Sequence, residues 1–507
     1  MIALFLALQT TALPRLTQPT VIAVAILYFT GVALIGAWAA RRTRTASDFF
    51  VAGRGIGLLP LALAAMSATV SGFAFIGGPG FVYMAGVGAL FLVLSASITS
   101  SMTAWVLATR LRLLGEVRGL ITLPDAIRVR YRSPAAQGLA AIAILVGVVG
   151  YMATNALALG LVIDAVFGTG LGTGIWLGMS VTLAYSVAGG IMAGVYTDVL
   201  QGALMAVASV LVFLFALQVG GAGQGLAGIS ETIRAVDPEF FGPWGKLAPI
   251  AALSLFFVFG MGSLAQPHVV HKFYMLRDPL KLRWYPLAMS VALVTTLLLY
   301  FAVGVAMKAL AVRGSIPPLS SPDQATPVFL LRFTPVLLAA LVFSGVAAAI
   351  MSTVNSFMSI GAAAVTHDLP RAFGRRVGNE LLWGRISTVV IAVLAAGLAH
   401  SSGLLVAFLG IFGWGLFAST LVPALAIGLN WTGATRAGAL ASIGTGLAVT
   451  LVFETLAWFR AYSFPAGVSA SGAALVLSFL AFFVVSWVTA PGGDPEIDED
   501  VRIVMEM

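Results

Sequence analysis

Of 507 residues, 60% are apolar and 9% are charged, against about 25% charged in an average soluble domain. A soluble chain of this length could not cover its surface with so few charges, so the bilayer must be part of its solvent. The chain has no cysteine, which excludes disulfides, zinc thiolate sites and cysteine nucleophiles. The net charge of +8 does not signal nucleic-acid binding, because the basic residues lie between apolar segments rather than on one face.

A spanning helix needs about 20 apolar residues. Such runs predict thirteen spans, near 20–40, 56–82, 88–109, 136–167, 171–189, 191–218, 248–270, 284–307, 333–365, 386–401, 403–429, 437–457 and 466–489. Only Gly189-Gly190 divides the fifth from the sixth. Residues 1–14 are apolar but lack the basic start and clear cleavage site of a secretory signal. The expected organisation is an extracytoplasmic segment over 1–19, one polytopic domain over 20–490 and an acidic, solvated tail over 491–507.

Basic residues favour cytoplasmic loops. With the N-terminus outside, 20 of the 27 basic residues fall inside, including Arg41, Arg42, Arg110, Arg112, Arg118, Arg128, Lys272, Arg277, Arg371 and Arg375. The reverse orientation leaves seven inside. The chain is therefore expected to be a multi-pass protein of the inner (plasma) membrane with a cytoplasmic C-terminus. It contains neither G-x-x-x-x-G-K-[ST] nor H-E-x-x-H, so nothing points to an ATP-driven module or a zinc hydrolase. An enzymatic role is not expected.

In a transporter, ions and polar solutes bind where helices are interrupted near the bilayer midplane. The second span carries Ser67, Thr69, Ser71 and Gly72 mid-run, then Gly77-Gly78-Pro79-Gly80. Hydroxyl side chains compete for backbone bonds, and glycine and proline weaken the ladder. A break near Ser67–Gly72 would free carbonyls for a cation; close helix packing on small residues is the alternative. In the ninth span, Ala349, Ser352, Thr353 and Ser356 share one helical face, with Asn355 beside it. Their oxygens suit a hard cation, against a null of interhelical hydrogen bonding. Asp198 lies within the sixth span, and an intramembrane acid is a functional candidate. The seventh span offers a partner break at Phe259-Gly260-Met261-Gly262-Ser263, before Gln266-Pro267-His268. His268 is a candidate proton carrier, although solvation near a helix end is the commoner role.

Six segments in order resemble the sodium/solute symporter family, its proline and monocarboxylate branch in particular. They are Asp48–Arg54, Ser67–Gly80, Thr122-Leu123-Pro124-Asp125, Gly189–Gln201, Gln266-Pro267-His268 and Ala348–Thr353. The resemblance implies an all-α, leucine-transporter-like fold with inverted five-helix repeats, about 56–218 and 248–429. It implies sodium held by backbone oxygens of Ser67, Val70 and Ala349 and by the hydroxyls of Ser352 and Thr353. A second sodium would fall on Asp198, Ser352, Asn355 and Ser356, with Asn355 replacing a hydroxyl common there. The solute would meet Thr69, Ser71, Gly72, Phe73, Tyr151, Phe259 and Ser263.

Thr69, Phe259 and Ser263 stand where proline carriers of the family have aspartate, tryptophan and tyrosine, which argues against proline itself. The expected activity is sodium-coupled import of a small, carboxylate-bearing solute, such as a monocarboxylate or amino acid, by alternating access. A proton-coupled carrier on the same fold and a solute sensor without net flux are the alternatives. The expected partners are the solute, sodium ions and the lipid bilayer, with no nucleic acid.

Overall fold

The computed structural model describes residues 19–43, 45, 50–52, 55–490 and 497–507, and its regular elements there are helical. The expectations for residues 1–14, and for most of Asp48–Arg54, lie outside the described residues.

α1 (Pro19–Arg42) precedes the first interrupted span, in which α2 (Leu58–Thr69) gives way to a π-turn at Phe73–Gly77 and then α3 (Gly78–Ala85). There follow α4 (Leu90–Thr103), α5 (Thr109–Val117), the short α6 (Leu123–Tyr131), α7 (Pro134–Phe167) and α8 (Leu171–Gly220). After α9 (Gly225–Arg234), the second interrupted span comprises α10 (Pro249–Ser263) and α11 (Pro267–Val270). The rest of the bundle is α12 (Tyr285–Val312), α13 (Ala325–Phe333), α14 (Val336–Ala363), α15 (Leu369–Ala372), α16 (Glu380–Ser402), α17 (Val406–Leu421), α18 (Arg436–Trp458) and α19 (Ala470–Thr489). α20 (Glu499–Glu506) closes the chain.

By length and composition, 11 of the described helical segments can cross a membrane, and Leu58–Thr69 and Leu171–Ala184 are shorter apolar helices. The expected thirteen is not reached on that measure. The boundary expected at Gly189-Gly190 does not interrupt the helical path either, since α8 runs for 50 residues. At 1.5 Å per residue that is about 75 Å, more than twice a hydrocarbon core of about 30 Å.

Burial separates centre from periphery. The most apolar windows of Val336–Ala372 and Val406–Ile427 are 83% and 89% buried against protein, but those of Pro19–Ala39 and Arg436–Trp458 only 22% and 28%. α14 and α17 thus form the centre with α7, and α1 and α18 present apolar surface outward. Outward apolar surface is expected where lipid is the solvent.

The tail differs from its expectation as a solvated end. Val501, Val504 and Met505 of α20 are buried, because their i, i+3, i+4 spacing gives the acidic helix one apolar face. Arg110 donates to Met505 O at 3.2 Å, and Arg118 pairs with Asp498 at 2.8 Å and also with Asp500. α20 is thereby clasped to the end of α5.

Candidate functional site

The first break follows from where three backbone amides go. In an unbroken helix, Gly72, Phe73 and Ala74 would donate to the carbonyls of Ala68, Thr69 and Val70. Here Gly72 N–H donates to Asn155 Oδ1 at 3.0 Å, Phe73 N–H to Ser71 Oγ at 3.2 Å, and Ala74 N–H to Ser71 O at 2.9 Å. Three consecutive carbonyls leave the ladder as a result. Val70, at φ −87° and ψ 89°, is the non-helical joint. Gly72 is required by close approach, since a Cβ there would lie 2.6 Å from Ala158 Cβ.

The second break has a simpler origin. Pro267 has no N–H to return to the Ser263 carbonyl, and that carbonyl accepts from Thr103 Oγ1 at 3.3 Å instead. The chain turns at Leu264–Ala265 and restarts as α11, with Gln266 in an extended conformation.

α14 meets the first break directly. Thr353 Oγ1 donates to the released Ala68 O at 2.9 Å and to Ala349 O at 3.1 Å. Ser352 and Thr353 are wholly buried, and Ser352 Oγ has no hydrogen-bond partner. A buried hydroxyl without a partner is costly in lipid. Here it lies on the helix that abuts the freed carbonyls of α2, a donor set of neutral oxygens that fits a hard monovalent cation.

The expected second-cation residues have other neighbours. Lys272 Nζ donates to Asp198 Oδ2 at 2.9 Å and to Ser356 Oγ at 3.1 Å. Asn355 packs where a Cβ on Gly194 would lie 1.9 Å from its Nδ2. Lys272, expected in a cytoplasmic loop, is 1% exposed; the 3-10 turn His271–Met275 after α11 carries it into the bundle.

Above the break lies an aromatic box. Phe73 stacks on Phe259 at 5.2 Å between centroids, and Phe259 on Trp414 at 5.3 Å. Tyr151 completes it, 5.8 Å from Trp414, with its hydroxyl 3.0 Å from Ser71 Oγ. Trp414 Nε1 donates to Phe259 O at 3.2 Å, which ties α17 to the end of α10. Ser71, Phe73, Tyr151, Phe259 and Trp414 are each at most 5% exposed, so the arrangement is closed. Two expected solute contacts are turned elsewhere: Thr69 Oγ1 donates to Ala65 O at 2.8 Å and Ser263 Oγ to Phe259 O at 2.8 Å, each within its own helix. His268 is buried against Phe357 at 4.2 Å rather than solvated at a helix end.

Asn155, Trp414 and Lys272 belong to the candidate site and were not singled out for it from the sequence. Asn155 was detectable as an amide in the middle of a long apolar run; Trp414 carried no local signal.

The segment between α12 and α14, which includes α13, is tied to the first broken span and to α17. Thr326 Oγ1 donates to Phe75 O at 2.6 Å, and Asp323 Oδ2 accepts from Val406 N–H at 2.8 Å. The segment thus bridges the restarted half of the first broken span and the start of α17.

Comparison with known proteins identifies the family and the fold. The profile described as the sodium:solute symporter family matches residues 49–446. The osmoregulated proline transporter OpuE of Bacillus subtilis is 30% identical over 475 residues, covering 91% of this chain and 94% of its own. A sodium/proline symporter of Escherichia coli is 28% identical, covering 87% of this chain and 89% of its own. Among solved structures, a Na+-coupled sialic acid symporter in a substrate-bound outward-open state superposes with a TM-score of 0.76 at 18% identity. That match covers 94% of this chain and 99% of the other.

Proposed function

The chain belongs to the sodium:solute symporter family, with the leucine-transporter-like fold, and from that premise we propose that it imports proline, or a closely similar small zwitterion, with sodium. The observation that carries the sodium site is the junction of α2 and α14. The Ala68 carbonyl released by the first break accepts from the Thr353 hydroxyl, and Ser352 Oγ beside it lacks a partner. Sodium there would be held by the carbonyls of Ser67, Val70 and Ala349 and by Ser352 and Thr353. Binding would favour the interrupted form of the span, because a helix that recloses takes its carbonyls back. A ligand shifts a conformational equilibrium only by its differential affinity for the two states, and this is a specific source of one.

The solute reading rests on two supports. The relatives that match over most of their length are named proline transporters. The box of Phe73, Phe259, Trp414 and Tyr151 offers an apolar, ring-sized slot beside the hydroxyls of Ser71 and Tyr151. The replacements at Thr69, Phe259 and Ser263 weigh less than they did, because the Thr69 and Ser263 hydroxyls are bonded within their own helices and Phe259 keeps an aromatic wall. Alternating access would couple the two sites: sodium holds the break open, and solute against Tyr151 and Ser71 closes the box.

Uptake of radiolabelled proline into proteoliposomes tests the reading. Ser352→Ala combined with Thr353→Ala should raise the half-saturating sodium concentration sharply. Unchanged sodium dependence would remove the site, and no proline uptake beside uptake of another amino acid would remove the solute assignment.

A further inference from the structure

Lys272 is among the largest fully buried side chains in the protein. Its position is unusual in chemistry as well as depth. Nζ donates to Asp198 Oδ2 at 2.9 Å and to Ser356 Oγ at 3.1 Å, two of the four side chains to which the family resemblance assigns a second sodium. The remaining oxygens of that set, Asp198 Oδ1, Ser352 Oγ and Asn355 Oδ1, have no hydrogen-bond partner. An oxygen-rich cluster with one carboxylate therefore surrounds a single cationic group that is covalently part of the chain.

We propose that the Lys272 ammonium is a tethered cation that takes the place of a second sodium and fixes coupling at one sodium per cycle. The charge balance is the main argument. Asp198 is the single acid of the set, and its charge is already met by Lys272. A sodium ion added among the same oxygens would face an ammonium at contact range with no second carboxylate to offset it, and like charges so close repel strongly where water is excluded. The donor geometry points the same way: an ammonium offers three hydrogens, of which two are used on oxygens that would otherwise ligate the ion.

The tethered charge also touches the first site. The Ser352 hydroxyl faces Asp198 and is also a proposed sodium ligand. With sodium on its lone pair, its hydrogen is free to turn towards Asp198 Oδ1. Ser352 would then join the sodium to the Asp198–Lys272 pair, so α8 and the turn after α11 sense the ion without binding it.

The inference rests on the sodium placement proposed above, and equilibrium binding of 22Na+ to the purified protein separates the two, since it needs no solute. Wild-type protein should bind one sodium per chain, lost in Ser352→Ala/Thr353→Ala. Lys272→Ala, which vacates the second position and leaves the Asp198 carboxyl without its counter-charge, should bind two. Two sodium ions on the wild-type protein, or one on well-folded Lys272→Ala, would overturn the proposal; no sodium on the wild-type protein would instead overturn the first site. Removing one partner of a buried ion pair is strongly destabilising, so Lys272→Ala can fail to fold. The neutral pair Asp198→Asn/Lys272→Gln then decides together with the wild-type count. It should still bind one sodium, and loss of that ion would show that Asp198 ligates it and the proposal is wrong.

Discussion

Replacing Asn155 with leucine tests whether the first break is held open by the amide bookkeeping described above. The substitution keeps the branched shape and the number of side-chain heavy atoms while removing the acceptor for Gly72 N–H, 3.0 Å away. Besides Asn155 Oδ1, the atoms closest to the Gly72 α-carbon's open face are the apolar Ala158 Cβ and Ile350 Cγ1. A buried donor left unpaired costs about 1–3 kcal/mol. The amide can recover that by returning to Ala68 O, the bond of a continuous helix, and doing so withdraws the carbonyl that Thr353 holds at 2.9 Å. If sodium binds only the interrupted form, its apparent affinity should fall by the same free energy, about 5- to 150-fold. Sodium titration of the intrinsic tryptophan fluorescence measures this without solute, Trp414 lying in the adjoining box. A half-saturating sodium concentration within twofold of wild type, in a protein of unchanged melting temperature, would refute the reasoning.

Trp414→Phe keeps the stack on Phe259 but leaves the Phe259 carbonyl without its 3.2 Å donor; proline half-saturation should rise about 2- to 10-fold, with sodium half-saturation in uptake assays nearly unchanged. Arg118→Ala removes the partner that Asp498 and Asp500 share, leaving Asp498 only the longer contact to Arg132 at 3.7 Å, so hydrogen exchange across 499–506 should accelerate while the bundle amides keep their protection. Hydrogen bonding to Arg118 holds the Asp500 carboxyl below its ordinary range, so its contribution to the clasp is complete above the ordinary carboxylate range and is lost as pH falls through its lowered value; exchange of α20 followed from pH 7 downward should show release only below the ordinary carboxylate range. Asp323 behaves oppositely, because burial raises its carboxyl to about 7. The folded form then binds the extra proton, docking of the segment between α12 and α14 should weaken as pH rises from about 4 to 7, and Asp323→Asn should abolish that slope in hydrogen exchange over 322–333.

What the sequence reveals of this protein follows how local each signal is. Apolar runs are local, so the spans were legible apart from the count, which depends on the first broken span at Leu58–Thr69 and on how α8 passes Gly189-Gly190. The interruptions were legible because their causes, Ser71, Gly72 and Pro267, lie within the interrupted segments. Their consequences were not, since the partners that stabilise the breaks come from distant helices: Asn155 on α7, Thr103 on α4 and Trp414 on α17. Lys272 shows the same limit more sharply. A count of basic residues between apolar runs assigns it to a loop, because nothing nearby reveals that Asp198 waits 74 positions earlier to receive it. The docking face of α20 was legible in principle, at Val501, Val504 and Met505, but the acidic composition around those residues pointed to solvent.

The account stands or falls on sodium as the coupling ion, and proteoliposomes loaded to impose one gradient at a time measure this most directly. Proline should accumulate above equilibrium under an inward sodium gradient at equal pH, and should only equilibrate under an inward proton gradient without sodium. Accumulation driven by the proton gradient in sodium-free buffer, or accumulation indifferent to sodium, would contradict it.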